Sequence, residues 1–453
     1  MKVLIVQLAR FGDVLLSAPS INSLKRTLPS DAEVHLLVRK RFSEIARFVK
    51  GVDSVKAWDT GKVLEPIIKT PEALTSSLCI FEQEVSDLAA EKYDKIINLS
   101  YSPFSSYLVS LMTDNCDNVI GYCRFEDGYL RINDDTSRFF YTQVGVDRPN
   151  RAHLLDVFAA IMDVHLQPCD KSVDSHWLHP SLLAKFPELQ LGQYIIIHVG
   201  TSEAEKSVSE FKWKQIIRKS LRLMPNLQIV LVGSKIESPV ASKILEGETF
   251  PSVVNLVGRT ELSEVFALAR HAKLVVGGDS LWMHIGSIVG TECLNLSFET
   301  VNFWETGPWS KGSEVLYAEH EHALPSDRVA DVIKQHVTGS EVSKNAIVVS
   351  EYDRIEMYES DSSWRSFQWD MIKALYLGHE FPRSPGRQFN EAILRLAELT
   401  SLALENIDVI RVGKGDVELA TQILNNVDQL FGAVAETCAS IRPSFGGFKA
   451  TNR

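Results

Sequence analysis

The sequence predicts an α/β protein: two doubly wound halves, each a parallel sheet flanked by helices, followed by a helical C-terminal extension. Three observations carry this expectation. Short apolar runs alternate with segments of helical spacing, which is the pattern of a parallel sheet. The alternation occurs twice, on either side of QPCDKSVDSHWLHPSLLAKFPELQLG, a stretch rich in turn formers. Beyond about residue 340 only helical spacing remains. A chain of 453 residues also exceeds one ordinary core, so two or three domains are expected. The boundaries read as 1–170, a linker at 171–190, 191–338, and an extension over 339–453.

In the first half, VLIVQLA reads as a buried strand over 3–8 and the following segment as a helix over 14–27. AEVHLLV (32–38) is the second strand and RFSEIARFV the next helix. Residues 61–90 look helical and irregular, YDKIINLS (93–100) and NVIGY (118–122) are strands, and RAHLLDVFAAIM (151–162) is a closing amphipathic helix. The second half starts with the strand YIIIHVG (194–200) and the helix KWKQIIRKSLRLM (212–224). LQIVLVG, SPVASKIL, VVNLVG, LSEVFALARHA, LVVGGD, MHIGSIVG and ECLNLSF continue the alternation through 298. In the extension, SSWRSFQWDMIKALYLGHEF, residues 389–407 and residues 416–439 have helical spacing. In the last of these Val417, Ala420, Ile423, Leu424, Val427, Leu430, Phe431 and Val434 share a face behind Asp416 as N-cap.

The formal net charge of −11 argues against nucleic acid as a partner, which would need a basic face. No signal peptide is visible, and no apolar run reaches the roughly 18–20 residues of a membrane span, so the cytoplasm is the expected compartment. The six cysteines form no CxxC pair and read as buried reduced thiols. His320 and His322 in EHEHA resemble a metal pair, but no third ligand accompanies them, and no metal is expected.

Chemistry concentrates at strand ends, where open α/β sheets bind ligands. In RFGDVLLSAP (10–19), Gly12 and Asp13 occupy the turn between the first strand and its helix, so Asp13 points towards a cleft between the halves. In VVGGDSLWMH (275–284) a strand ends in Gly277 and Gly278, Asp279 and Ser280 follow, and a helix begins with His284 in its first turn. A helix N-terminus suits a phosphate or diphosphate, although Asp279 or Ser280 would equally serve as a plain N-cap. HVGTSEAEKSVSEFKW (198–213) has the same form. Thr201, Ser202 and Lys206 fall on its loop, and Lys206 is either a phosphate-neutralising charge or a solvated surface residue. Glu237 either accepts from a ribose or starts its helix. His198, inside an apolar strand, reads as a core or cleft-lining residue.

Together these stretches resemble glycosyltransferase family 9, the lipopolysaccharide heptosyltransferases. The match is carried by VLIVQLARFGDVLLSAPSINSLKRTLPSDAEVHLLV and NLVGRTELSEVFALARHAKLVVGGDSLWMHIGSIVGTECLNLSF, with YDKIINLS between them, over about residues 1–335. The resemblance implies the GT-B fold: two Rossmann-like domains facing across a cleft, the first for the acceptor and the second for a nucleotide-diphosphate sugar, ADP-heptose. It implies an inverting, metal-independent transferase that needs no cofactor. Asp13 then corresponds to the general base, with Arg10 and Gly12 beside it on the acceptor or phosphate side. Thr201, Ser202, Lys206, Glu237, Thr260, Asp279, Ser280, Leu281 and His284 correspond to the donor site. The implied acceptor is a lipopolysaccharide core or similar glycan.

The sequence departs from the family in three places. Leu281 and Trp282 stand where Gly follows Asp-Ser/Thr, Val208-Ser209 replaces a Trp-Pro pair, and ARF replaces a Ser-rich loop. Two other functions fit the same residues. One is a protein O-glycosyltransferase that docks its acceptor through the extension; the other is a non-catalytic nucleotide-binding scaffold. A lipid-linked acceptor would bring the chain into peripheral contact with the inner face of the inner membrane, for which VRKRF (38–42) supplies cations. The extension's apolar stripe needs cover, from this chain or from a second copy.

Overall fold

The fold was analysed in a computed structural model of the chain. It describes residues 1–113, 115–143, 152–174, 178, 182–201, 203, 206–339, 352–356, 362–383 and 390–412, with short pieces between 421 and 433. Two compact units result, Met1–Tyr358 and Glu359–Arg453.

The first unit contains two sheets. The strands of the first are β1 (Lys2–Val6), β2 (Glu33–Arg39), β3 (Ser54–Trp58), β4 (Lys95–Asn98), β5 (Val119–Arg124) and β6 (Leu130–Ile132). Their order is β3-β2-β1-β4-β5-β6, parallel except for β6. The second sheet contains β7 (Tyr194–His198), β8 (Gln228–Val232), β9 (Val253–Asn255), β10 (Leu274–Gly277), β11 (Cys293–Ser297), β12 (Glu314–Ala318) and β13 (Tyr352–Glu356). Its order is β13-β12-β11-β10-β7-β8-β9, parallel except for β13. Each sheet therefore starts in its middle and winds outwards twice. The order reverses between β1 and β4 in one sheet and between β7 and β10 in the other, and a crevice opens at such switch points.

The central strands form because their residues are apolar on both faces. Val3 to Val6 and Ile195 to Ile197 have no exposed surface, as expected for strands covered by helices on both sides. One core packs Leu4, Val6, Leu37 and Ile96 against Leu108 and Val109. The other packs Ile195, Ile197 and Leu231 against Trp213, Ile216 and Ile217 of the helix Glu210–Leu223.

Element types agree with the sequence reading, while several boundaries move. Residues 61–90 resolve into the helices Thr60–Lys69 and Leu74–Ala89. The reading missed β3, β6, β12 and β13. β3 (SVKAW) is a short edge strand with Lys56 in its middle, and β6 and β13 are likewise edge strands set by their neighbours. In the linker stretch, Asp170 is buried and takes a paired contact from Arg26, at 3.1 Å from Nε and 2.8 Å from Nη2. Among the described cysteines only Cys123 and Cys293 are buried, whereas Cys79 and Cys169 are exposed, which corrects the expectation of uniformly buried thiols.

The two halves of this unit touch along the first helix, Phe11–Thr27, and the helix Leu281–Ile288. Phe48 stacks on Phe266 at 4.2 Å between them. His153 at the start of the helix Leu154–Ile161 bonds the Gly307 carbonyl through Nε2 at 2.9 Å. Its Nδ1 accepts the Leu155 N–H at 3.2 Å. Both contacts are satisfied by the neutral ring with its proton on Nε2.

The second unit contains the helices Ser362–Leu377 and Asn390–Val412. The extension expected over 339–453 is not wholly helical, because β13 lies within it and pairs antiparallel with β12, so that stretch belongs to the second sheet. Asp416 and most of the apolar face that follows it lie outside the described residues. Among the described residues, no helix is long and apolar enough to cross a membrane.

Candidate functional site

The strand order brings four turns together at the crevice. Arg10, Gly12 and Asp13 follow β1, and Tyr101 follows β4. The loop with Thr201, Glu203 and Lys206 follows β7, and Asp279 and Ser280 follow β10. Two of these turns come from each half.

Asp13 is the third residue of the first helix. Its Oδ2 accepts the Arg10 backbone N–H at 2.9 Å, which satisfies one of the free donors at that helix end and fixes the carboxylate. The side chain is partly covered and lies deep between the halves. Burial pushes its carboxyl above the usual aspartate range. The Arg10 N–H and guanidinium oppose that shift, and the Asp279 charge adds to it.

Opposite, Asp279 is held by two residues. Thr306 Oγ1 donates to its Oδ1 at 3.1 Å, and Lys206 Nζ lies 3.5 Å from Oδ2. Burial again raises the carboxyl, against the Lys206 charge and the Thr306 bond. Ser280 occupies the N-cap position of the helix Leu281–Ile288, but its hydroxyl makes no cap bond and is buried without a partner. Asp279 does not cap the helix either. The plain N-cap reading is therefore excluded for both residues, and that helix end keeps donors and a partial positive charge for a ligand.

Lys206 is no solvated surface residue: only 12% of its side chain is exposed, and it faces both Asp279 and Glu203. Thr201 folds inwards instead. Its hydroxyl bonds the Glu203 carbonyl at 2.7 Å and shares a contact with Ser207 at 2.6 Å. Its methyl group lies where a Cβ on Gly278 would come within 2.8 Å, which places the loop directly over the end of β10. Ser202 lies outside the described residues.

Glu237 closes its own turn by accepting the Ser234 N–H. Its carboxylate also lies across Gly200, at the end of β7, where any Cβ would collide with it. It thus starts its helix and borders the crevice. Thr260 is half-buried on the loop after β9, with no hydrogen bond to this cluster. Leu281 is partly exposed, but Trp282 is buried and packs beside His198 at 6.1 Å, so any change in pocket shape falls to Leu281.

His284 is buried and its ring stacks on Trp309 at 5.8 Å. Burial, with a smaller effect from the His153 charge, brings its imidazole down to about 3. Burial thus favours the neutral ring, which packs against Trp309. His198 is likewise held at about 3 by burial, and its Nδ1 has no partner.

Four residues at the site escaped the sequence reading, among them Glu203, which lies on the loop of Thr201 and Lys206. Glu305 and Thr306 lie on the short helix Phe303–Thr306 after β11, a single turn too short to show a helical period in the sequence. Tyr101 could have been found, because it follows the strand YDKIINLS that pairs with β1. Leu8 N–H donates to Ser100 Oγ at 2.7 Å, tying the two strand ends together. Burial raises the Tyr101 phenol, and the carboxylates of Asp13 and Glu305 push it further. It therefore faces both halves.

The sequence profile of glycosyltransferase family 9 (heptosyltransferase) matches residues 85–336, more than half of the chain. The chain is 24% identical to lipopolysaccharide heptosyltransferase 3 of Escherichia coli over 332 residues, which is 70% of this chain and 88% of that protein. It is 22% identical to lipopolysaccharide heptosyltransferase 1 of Salmonella typhimurium over 349 residues, 75% and 99% of the two chains. Among solved structures, E. coli heptosyltransferase WaaC with ADP aligns with a TM-score of 0.56 at 19% identity, over 74% of this chain and all of that one. A family 9 glycosyltransferase from Veillonella parvula aligns with a TM-score of 0.56 at 14% identity, over 75% and 97%. The architecture is thus the GT-B fold, and the chain belongs to glycosyltransferase family 9, the heptosyltransferases, as a glycosyltransferase.

Proposed function

We propose that the chain transfers a heptose from ADP-heptose to a hydroxyl of a lipopolysaccharide core, inverting the anomeric centre without a metal. The observation that carries this reading is Asp13 fixed at the end of β1 opposite the Lys206–Asp279–Thr306 cluster at the ends of β7 and β10. The acceptor oxygen attacks the anomeric carbon directly. The bond from that carbon to the diphosphate breaks, and its electron pair stays on the leaving phosphate oxygen. The acceptor proton passes to Asp13, whose raised carboxyl makes it a better base than an ordinary aspartate.

Lys206 and the uncapped N–H groups at the start of the helix Leu281–Ile288 supply charge for the leaving diphosphate. Thr201, Glu237, Thr260, Ser280, Leu281 and His284 line or border the donor pocket, with His284 as a neutral partner, and Ser202 is assigned to the donor from the sequence alone. Residues 1–170 carry the acceptor and residues 191–338 the donor. The relatives named as lipopolysaccharide heptosyltransferases support both substrates. Such an acceptor places the chain at the cytoplasmic face of the inner membrane, in peripheral contact with it.

The test is Asp13→Asn. The variant is expected to bind ADP like the wild type and to lose transfer. Transfer at the wild-type rate would remove Asp13 as the base.

A further inference from the structure

Glu203 lies between two cations that come from different halves of the protein. Its Oε2 is 3.3 Å from Lys206 Nζ, on its own loop, and its Oε1 is 3.7 Å from Arg10 Nη1, on the turn after β1. A carboxylate shared by an ammonium and a guanidinium marks where an anion can be held from both sides.

We propose that Arg10 and Lys206 form a two-cation phosphate subsite spanning the cleft, and that the Glu203 carboxylate competes with the donor's diphosphate for it. The proposal rests on the reading of this cleft as a nucleotide-diphosphate site. It adds a diphosphate ligand from the half that carries Asp13, together with an internal competitor.

The argument is one of charge. Arg10 and Lys206 stand against Asp13, Glu203 and Asp279, so carboxylates already outnumber cations in this cluster. A diphosphate adds further negative charge, and one carboxylate must move away. Asp279 is pinned by Thr306, and Asp13 by the Arg10 N–H. Glu203 is the carboxylate without such a restraint. Its side chain is 44% exposed, and among the described residues its carboxylate is held only by the two ion pairs.

Its backbone is anchored, because its carbonyl accepts from Thr201 at 2.7 Å and Ser207 at 3.1 Å. Only the side chain has to turn. Once it does, Arg10 is released to pair with a phosphate oxygen. The leaving group is then stabilised from both halves, one of which also holds the base.

Isothermal calorimetry with inorganic pyrophosphate and with ADP tests this on the full chain. Glu203→Gln is expected to bind pyrophosphate about threefold to fivefold tighter than the wild type, the range of a partly exposed charge pair. Arg10→Ala is expected to bind more weakly, and the gain from Glu203→Gln is expected to shrink in the double variant. Glu203→Ser, which shortens the side chain, is a second variant with the same expected direction; thermal melts verify that each protein is folded. Pyrophosphate binding no tighter in either Glu203 variant, or no weaker in Arg10→Ala, overturns the proposal. If Lys206→Ala loses nucleotide binding in the same experiments, the donor site itself stands. If Lys206→Ala binds pyrophosphate and ADP like the wild type, the donor reading falls as well.

Discussion

The ring of His284 lies against Gly12: a Cβ at position 12 would come within 2.8 Å of its Cδ2 and 3.0 Å of its Nε2. Position 12 belongs to the turn that carries Asp13, and His284 to the helix that follows Asp279. The turn that carries Asp13 and the helix that follows Asp279 are thus in register through a contact that has no room for one methyl group. His284 cannot give way easily, because its other face is stacked on Trp309.

Gly12→Ala should therefore act on both stability and chemistry. Overpacking of this kind costs about 1–3 kcal/mol, measurable as a lowered urea midpoint. Transfer should fall as well, because the turn that carries Asp13 is pushed away from the other half. A Gly12→Ala protein with wild-type stability and rate would show that the contact is not tight in solution.

The pH dependence of transfer reports on Asp13. Because burial holds its carboxyl above the ordinary range, the acidic limb of the profile should lie above that of a free aspartate. The sign for stability is the reverse of a salt-bridged acid. A carboxyl raised in the folded state is protonated there while the unfolded one is ionised, so stability is lost as pH rises through that window. Asp13→Asn removes the buried charge and keeps an oxygen for the Arg10 N–H. The variant should melt no lower than the wild type at pH 7 while losing transfer. A marked drop in melting temperature would contradict this.

Lys206→Ala tests the donor side. It removes the cation that faces Asp279 and leaves that carboxylate buried with only Thr306. A hydrogen bond to a charged group contributes about 1.5–3 kcal/mol, so ADP binding should weaken by about 10- to 100-fold. Calorimetry reads this directly, and an unchanged Kd would exclude Lys206 from the diphosphate.

Away from the cleft, His336 joins the helix Ser326–Thr338 to the sheet. Its Nδ1 is 2.7 Å from Glu292, and its Nε2 is 3.8 Å from Glu314 on β12. Burial alone would lower the imidazole, but the two carboxylates outweigh it and raise it to about 9. Its stabilising contribution is complete below about 6.5, the unfolded value, and is lost as pH climbs to about 9. Unfolding free energy should therefore fall across that window by up to about 1.4 kcal/mol per pH unit. Denaturant titrations at its two ends, on the wild type and on His336→Gln, check this. An equal slope in both proteins would rule out His336 as the source.

Much of the site was legible before any coordinates. Asp13, Lys206 and Asp279 each stand just past an apolar strand, and a parallel sheet delivers such residues to one edge. Sequence could not choose between cap and ligand at Ser280, because both need the same residue at the same place. In the structure Ser280 stands at the N-cap position and its hydroxyl makes no cap bond. Lys206 and Glu237 were equally ambiguous. Lys206 proves covered and paired, while Glu237 both closes its turn and lies across Gly200. Thr306 and Glu305 had no local signal, because a single helical turn is too short to show a period and is placed by what it packs against.

The sequence by itself determined the two doubly wound halves, the helices beyond residue 360 and the residues at the strand ends. These depend on local apolar periodicity and turn chemistry, which each segment carries alone. Only the tertiary structure decided which strand ends meet. The strand orders put β1 beside β4 and β7 beside β10, and the contact of Gly12 with His284 holds the two switch points face to face. The charges follow from that placement. Asp13 and Asp279 are raised because burial withholds water from both, and the Asp279 charge adds to the shift of Asp13; burial is a property of the packed molecule rather than of any stretch of its chain.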